Sequence, residues 1–182
     1  MIQPFQKKMI ASMPKAENHI HIEGSIPLYL ALELAEKNHV KLPCDTAQGL
    51  RQWIKDTKGT YGLNGFMYCN RKINSVCIHE EDYEAVVMEL AKQAKVQNII
   101  YQELFLDYPL NEERGIPIEV VMDGYITAKK RAIDELGVEL VYIAGLDRTL
   151  PSEQCVNFVK KLEKYLDYVD GLGMDCEEKG HP

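Results

Sequence analysis

The feature that most constrains this chain is a change of hydrophobic period that recurs along it. Short apolar runs of strand type, the first ending near His21 and the others reading IIYQELFL (99–106), VELVYIAGL (138–146) and YVDGLGM (168–174), alternate with longer stretches of helical spacing. SIPLYLALELAEKN places Ser25 as an N-cap and Pro27 in the first turn, with Leu28, Leu32 and Ala35 on one stripe. HEEDYEAVVMELAKQAKVQN opens with acids and carries Tyr83, Val87, Leu90 and Ala94 along one face. PIEVVMDGYITAKKRAIDELG closes on Gly137, and PSEQCVNFVKKLEKYL begins with a proline in its first turn. Parallel strands need long crossovers, so this alternation predicts a parallel α/β sheet.

Two folds satisfy that order, and the turn after the first strand separates them. It shows neither G-x-G-x-x-G nor G-x-x-x-x-G-K-[ST], which argues against a doubly wound nucleotide-binding sheet and for a (β/α)8 barrel of TIM type. A complete barrel takes roughly 200 to 400 residues. Only four strands are visible in 182 residues, so the expectation is the first four β/α units. The whole of 1–182 then reads as the N-terminal half of one barrel domain. An insertion of short helices and loops is expected over about 45–80, interrupted by the glycine-rich KGTYGLNG.

Charge and cysteine usage narrow the function. A formal net charge of −7 without a basic cluster speaks against nucleic acid. No run of 18 apolar residues and no signal-peptide core is present, so neither membrane nor secretion is expected, and the cytoplasm is the expected location. Cys44, Cys69, Cys77, Cys155 and Cys176 make an odd set with no C-x-x-C pair, which fits reduced thiols.

The stretch AENHIHIEGS (16–25) carries the chemistry. In an extended strand His19 and His21 fall on one face and Ile20 and Ile22 on the other. Two neighbouring imidazoles are awkward core filling, because both need hydrogen-bond partners, whereas a shared metal satisfies both. A solvated edge strand is the alternative for a bare H-x-H. Barrels place their chemistry beyond the C-terminal strand ends, where this pair lies.

MPKAENHIHIEGSI resembles the opening signature of the adenosine deaminase family, P-K-[AV]-E-L-H-x-H-[IL]-[DE]-G, departing at Asn18. IIYQELFLDYPL is similar to the E-I-F-F-D-P of the adenine deaminase branch, and VDGLGMDCEEKGHP to its G-L-D-S-S-E-x-G-x-P. The resemblance spans 13–182 and is weakest over 45–80. It implies a barrel with one zinc ion (Zn2+) per active site and hydrolytic deamination of a 6-aminopurine: adenine to hypoxanthine in purine salvage, or alternatively adenosine to inosine. His19 and His21 match two zinc ligands. Glu23 matches an acid that contacts ribose in the adenosine branch, so it is expected at the pocket mouth. Phe66 matches a lid position over the substrate, and Cys176 replaces a glycine or serine of the pocket floor. An ordinary packed aromatic is the competing reading of Phe66, and the Cys176 thiol is expected to be unreactive.

The third histidine, the metal-binding aspartate, the water-orienting histidine and the acid glutamate of the family belong to later strands. No catalytic residue is therefore expected in this chain, and the acid is expected beyond Pro182. His39, His79 and His181 read as structural. Two-metal relatives need a lysine at the end of the fourth strand, and Lys179 is too far along for that. The nucleic-acid deaminases with H-x-E and P-C-x-x-C are excluded by sequence. The implied partners are a small purine, the C-terminal half-barrel and a second copy in a homo-oligomer. A catalytically incomplete fragment with a binding or assembly role is the reading of another class.

Overall fold

The computed structural model describes residues 3–181. A short helix α1 (Pro4–Ser12) precedes β1 (Lys15–His21), α2 (Leu28–Lys37), α3 (Ala47–Asn74) and α4 (Glu80–Val96). Then come β2 (Ile99–Leu106), α5 (Tyr108–Glu112), α6 (Ile118–Arg131), β3 (Glu139–Asp147), α7 (Ser152–Leu162) and β4 (Gly171–Asp175). The strands form one sheet in the order β1-β2-β3-β4, each pair parallel. This is half of a TIM-type barrel, with β1 and β4 as its edges.

α4, α6 and α7 cover the sheet because each of their apolar stripes has a sheet face to bury. Leu104 and Leu106 of β2 and Leu140, Tyr142 and Ala144 of β3 are buried against Val87 and Ala91 of α4, Val121 and Tyr125 of α6 and Phe158 of α7. Each large side chain so buried is worth about 1.5–3 kcal/mol. Tyr142 and Tyr125 are wholly buried, yet the Tyr142 hydroxyl is not orphaned, since it donates to the Tyr125 carbonyl at 2.6 Å. α4 and α6 cross closely at Gly124, where any side chain would strike the Glu80 carbonyl and the Tyr83 side chain.

Several boundaries differ from the sequence reading. Pro27 and Pro151 are N-caps rather than first-turn residues (ψ 133° and 139°), so α2 starts at Leu28 and α7 at Ser152. Ser25 caps nothing; its N–H closes a turn on the Ile22 carbonyl at 3.0 Å. Asp170 is taken out of the fourth strand, since its carboxylate accepts from the Tyr142 N–H at 2.8 Å and the Lys129 ammonium at 2.7 Å. Gly137 does close its helix in the left-handed region (φ 67°), after a π turn over Ala132–Leu136.

Over 45–80 the chain forms mainly α3, which is two helices joined across a kink in the glycine-rich stretch. The glycine-rich stretch is helical except at Gly62 (φ 57°, ψ −132°), a conformation open essentially to glycine alone. There the helix folds back so tightly that a side chain on Gly65 would strike the Thr57 carbonyl. α1 and α5 have no counterpart in the sequence reading.

Candidate metal centre and cavity

The C-terminal ends of the four strands each deliver a polar side chain to one place. β1 ends at His21, Asp107 follows β2 directly, β3 ends at Asp147 and β4 at Asp175. They open on a cavity of about 690 Å³ also lined by His19, Glu23, Cys176 and, from α3, Phe66, Met67 and Asn70.

His19 and His21 come to one side, but simple alternation is not the cause. Between Glu17 and Ile20 β1 carries one residue more than β2, and His19 sits at φ 63°. A left-handed conformation on a non-glycine residue costs on the order of 1 kcal/mol or more. This bulge re-aims the ring so that the two Nε2 atoms lie 3.4 Å apart. Both rings rest on Phe105, with centroids 4.5 Å and 5.0 Å from its own. Phe105 in turn occupies space that any side chain on Gly173 would take.

The other nitrogen of His21 is held by acids. Nδ1 lies 2.8 Å from Asp107 Oδ2 and 3.7 Å from Asp175 Oδ2. These three side chains offer ligand atoms within 4.8 Å of one another. The hydrogen bond to Asp107 raises the His21 pKa against the opposing effect of burial. Burial, then the charge of Asp107, pushes the Asp175 carboxyl up to about 7. Burial, then the same charge, pushes Glu23 up to about 8. So much crowded negative charge calls for protons or a cation.

A zinc ion fits these donors. Two nitrogens at about 2.0–2.1 Å from a tetrahedral zinc stand about 3.3–3.4 Å apart, which is the His19–His21 spacing. Asp107 Oδ1 and Glu23 Oε2 are buried without a hydrogen-bond partner, as expected of a polar site made for more than these side chains supply.

Glu23 lines the cavity but is 1% exposed, so it sits in the wall and not at the mouth. Its Oε1 accepts from the Asp107 N–H and the Tyr125 hydroxyl, both at 3.1 Å. Phe66 is half-buried on α3, and the Lys58 ammonium lies 5.2 Å from its ring centroid. Cys176 lines the cavity at φ 66°; burial and the neighbouring Asp175 charge push its thiol up, so it stays protonated and a poor nucleophile. His79 is the N-cap of α4, and His39 follows the end of α2 in the left-handed region. The cavity lining includes neither of them, nor His181 or Lys179.

Asp107, Asp147 and Asp175 are the site residues that sequence reasoning did not single out. Their signal was present: an acid at or just past the end of each strand after the first.

Residues 14–182 match the family model described as "Adenosine deaminase". An adenine deaminase of Zymomonas mobilis is 35% identical over 178 residues, which is 96% of this chain and 51% of that protein. One from Geotalea uraniireducens is 34% identical over 174 residues, 96% of this chain and 48% of its own. This chain thus spans about half the length of the relatives it matches. The crystal structure of an adenine deaminase from Arthrobacter aurescens superposes with a TM-score of 0.85 at 25% identity, over 93% of this chain and 50% of that one. A Burkholderia ambifaria amidohydrolase with bound Zn superposes at 0.83 over 100% and 49%, and at 19% identity bears on the fold alone. A half-barrel whose strand ends converge on an H-x-H pair, matched by that family model over nearly its whole length, belongs to the adenosine deaminase family.

Proposed function

We propose that this chain is the N-terminal half of a zinc-dependent purine aminohydrolase, with His19 and His21 as two of its zinc ligands. The reaction is hydrolytic deamination of a 6-aminopurine, with adenine preferred over adenosine. The observation that carries the reading is the pair of Nε2 atoms 3.4 Å apart beside the cavity, inside a chain of this family. Zinc bound there supplies hydroxide at neutral pH, because it lowers the pKa of its water to about 7.

The chain's own residues position and enclose. Phe105 backs both imidazoles, and Asp107 orients the ring of His21. Phe66 and Met67 offer an apolar wall to a planar base. Cys176 forms part of the floor, where a thiol takes more room than the glycine or serine it replaces. The preference for the free base is supported by the second stretch, IIYQELFLDYPL, which follows the adenine branch of the family, and by the adenine deaminases this chain is similar to. The acid that protonates the ring and the remaining zinc ligands come from the C-terminal half. As an enzyme of purine salvage with free thiols, it works in the cytoplasm.

The test supplies the C-terminal half-barrel as a separate polypeptide and compares kcat/KM for adenine and adenosine. Turnover only with both halves, higher for adenine, is expected. Higher kcat/KM for adenosine would overturn the substrate assignment. Absence of turnover with any aminopurine would leave the assembly role as the better reading.

A further inference from the structure

The side chain of Asp107 is placed where it does nothing for its own helix. Asp107 is the N-cap of α5, the position at which an aspartate ordinarily accepts from the helix N-terminus, yet it makes no such bond. Its Oδ2 goes instead to His21 Nδ1 at 2.8 Å, 86 residues away in sequence. The backbone of Asp107 is pinned from behind, because its N–H donates to Glu23 Oε1, and Glu23 also accepts from the Tyr125 hydroxyl. The carboxylate is therefore presented from a fixed point. Gly145 leaves the notch that admits it, since a Cβ there would lie 2.6 Å from Asp107 Oδ1.

A carboxylate accepts only, so the Nδ1 it faces must carry the proton. A neutral imidazole has one N–H, and its other nitrogen is then a bare lone pair. For His21 that nitrogen is Nε2, the atom 3.4 Å from His19 Nε2. Free imidazole side chains favour the opposite tautomer, which would put a hydrogen where a metal must bind.

We infer that Asp107 is a positioning residue that fixes the tautomer of His21, holding the proton on Nδ1 and so keeping Nε2 open toward the point it shares with His19. The inference rests on the zinc reading for its purpose but not for its test. The same cluster admits a rival geometry, in which a cation sits on the Nδ1 side with Asp107 and Asp175 as ligands. Asp175 lies 3.7 Å from Nδ1, too far for a hydrogen bond, and is the natural comparison.

The experiment uses the 182-residue chain labelled with 15N, metal-free, at a pH where the ring is neutral. Long-range 1H–15N spectra report which nitrogen of His21 carries the proton, and dispersed amide signals report that each variant is folded. Wild type is expected to show Nδ1–H with bare Nε2. Asp107→Ala is expected to move most molecules to Nε2–H, Asp107→Asn to lie between, and Asp175→Asn to match wild type. A merely structural role for Asp107 would leave the tautomer unmoved. Zn2+ is then titrated alone, following the same ring signals. Asp107→Ala is expected to weaken zinc binding by about 10–100-fold, the usual cost of losing such a partner. His19→Ala is expected to weaken it at least as much. Retention of Nδ1–H in Asp107→Ala would overturn the inference. So would zinc binding that survives His19→Ala but is abolished by Asp107→Ala, which would make Asp107 a ligand. The titration is repeated with the C-terminal half added to supply the remaining ligands; failure of Zn2+ to move the His19 and His21 signals there would instead count against the zinc reading, because the tautomer result needs no metal.

Discussion

Asp107 in its observed place leaves no room for a side chain on Gly145. A Cβ added to Gly145 would lie 2.6 Å from Asp107 Oδ1, and 2.9 Å from Asp175 Oδ2 on its other side. The two carboxyl groups approach His21 together only because β3 has no side chain at that point.

Gly145→Ala is therefore expected to push the acids apart and to cost about 1–3 kcal/mol, the usual range for overpacking. Gly59→Ala is the control. Gly59 lies within α3 with nothing within 4 Å of an added Cβ, so alanine there should stabilise by roughly 0.5–1 kcal/mol through helix propensity. Urea unfolding of both variants reads the two signs; equal midpoints would contradict the steric argument at Gly145.

Glu23 should tolerate loss of charge better than loss of shape. Its carboxyl is pushed up to about 8 by burial and by the charge of Asp107, so it is mostly protonated at neutral pH. Glu23→Gln keeps the oxygen that accepts from Asp107 N–H and the Tyr125 hydroxyl and should shift stability by less than about 1 kcal/mol. Glu23→Ala strands both donors and should cost about 1–3 kcal/mol. Thermal or urea unfolding at neutral pH distinguishes them, and a Glu23→Gln as damaging as Glu23→Ala would show that the charge matters.

Asp82 gives the helical layer a pH dependence. It is fully buried at the start of α4, and burial alone would raise its pKa. The Lys37 ammonium at 2.7 Å, the N–H groups of His79 and Ile78 and the Asn38 amide outweigh burial and hold the carboxyl below its ordinary 3.8. The unfolded chain thus binds the proton more readily than the folded one. The stabilisation is present above the unfolded pKa and is lost as pH falls through the folded one. Asp82→Asn should cost about 1.5–3 kcal/mol at neutral pH, and the gap to wild type should close in acid. A gap that stays constant on acidification would refute it.

The two open edges of the sheet should make the isolated chain associate. β1 and β4 each leave one row of backbone groups unpaired, and on β4 Leu172 and Met174 are more than half exposed. Sedimentation of the chain over a concentration series should show species larger than 20.8 kDa, converting to one defined complex when the C-terminal half is added. A monodisperse monomer at every concentration would argue that these edges are protected.

What was readable in advance follows from which elements bury a face. The apolar runs of β2 and β3 and the stripes of α4 and α6 carry the core, so hydrophobic period marks them. α1 buries none of its residues and leaves Phe5, Met9 and Ile10 about half exposed or more, so no period marks it; a capping box between Gln3 and Gln6 and a proline at its start hold it. The H-x-H pair was legible, but the bulge beneath it was not, because a histidine rather than a glycine takes the positive φ. The acids at the strand ends were visible only as scattered aspartates, since what unites Asp107 and Asp175 is strand register and the notch at Gly145.

The strand order has a consequence for how such a molecule comes into being. From β2 onward each strand pairs with the one before it in the chain, so no strand waits for a later one before it can join the sheet. Loop closure is the entropic toll that slows folds built on remote pairings; β2–β3 and β3–β4 close over short crossovers, whereas β1–β2 closes across α2, α3 and α4. The sheet can therefore be laid down in the direction of synthesis, β2 on β1, β3 on β2 and β4 on β3, while the chain is still emerging from the ribosome. The exposed margin of β4, with Leu172 and Met174 more than half exposed, is the last edge that process lays down.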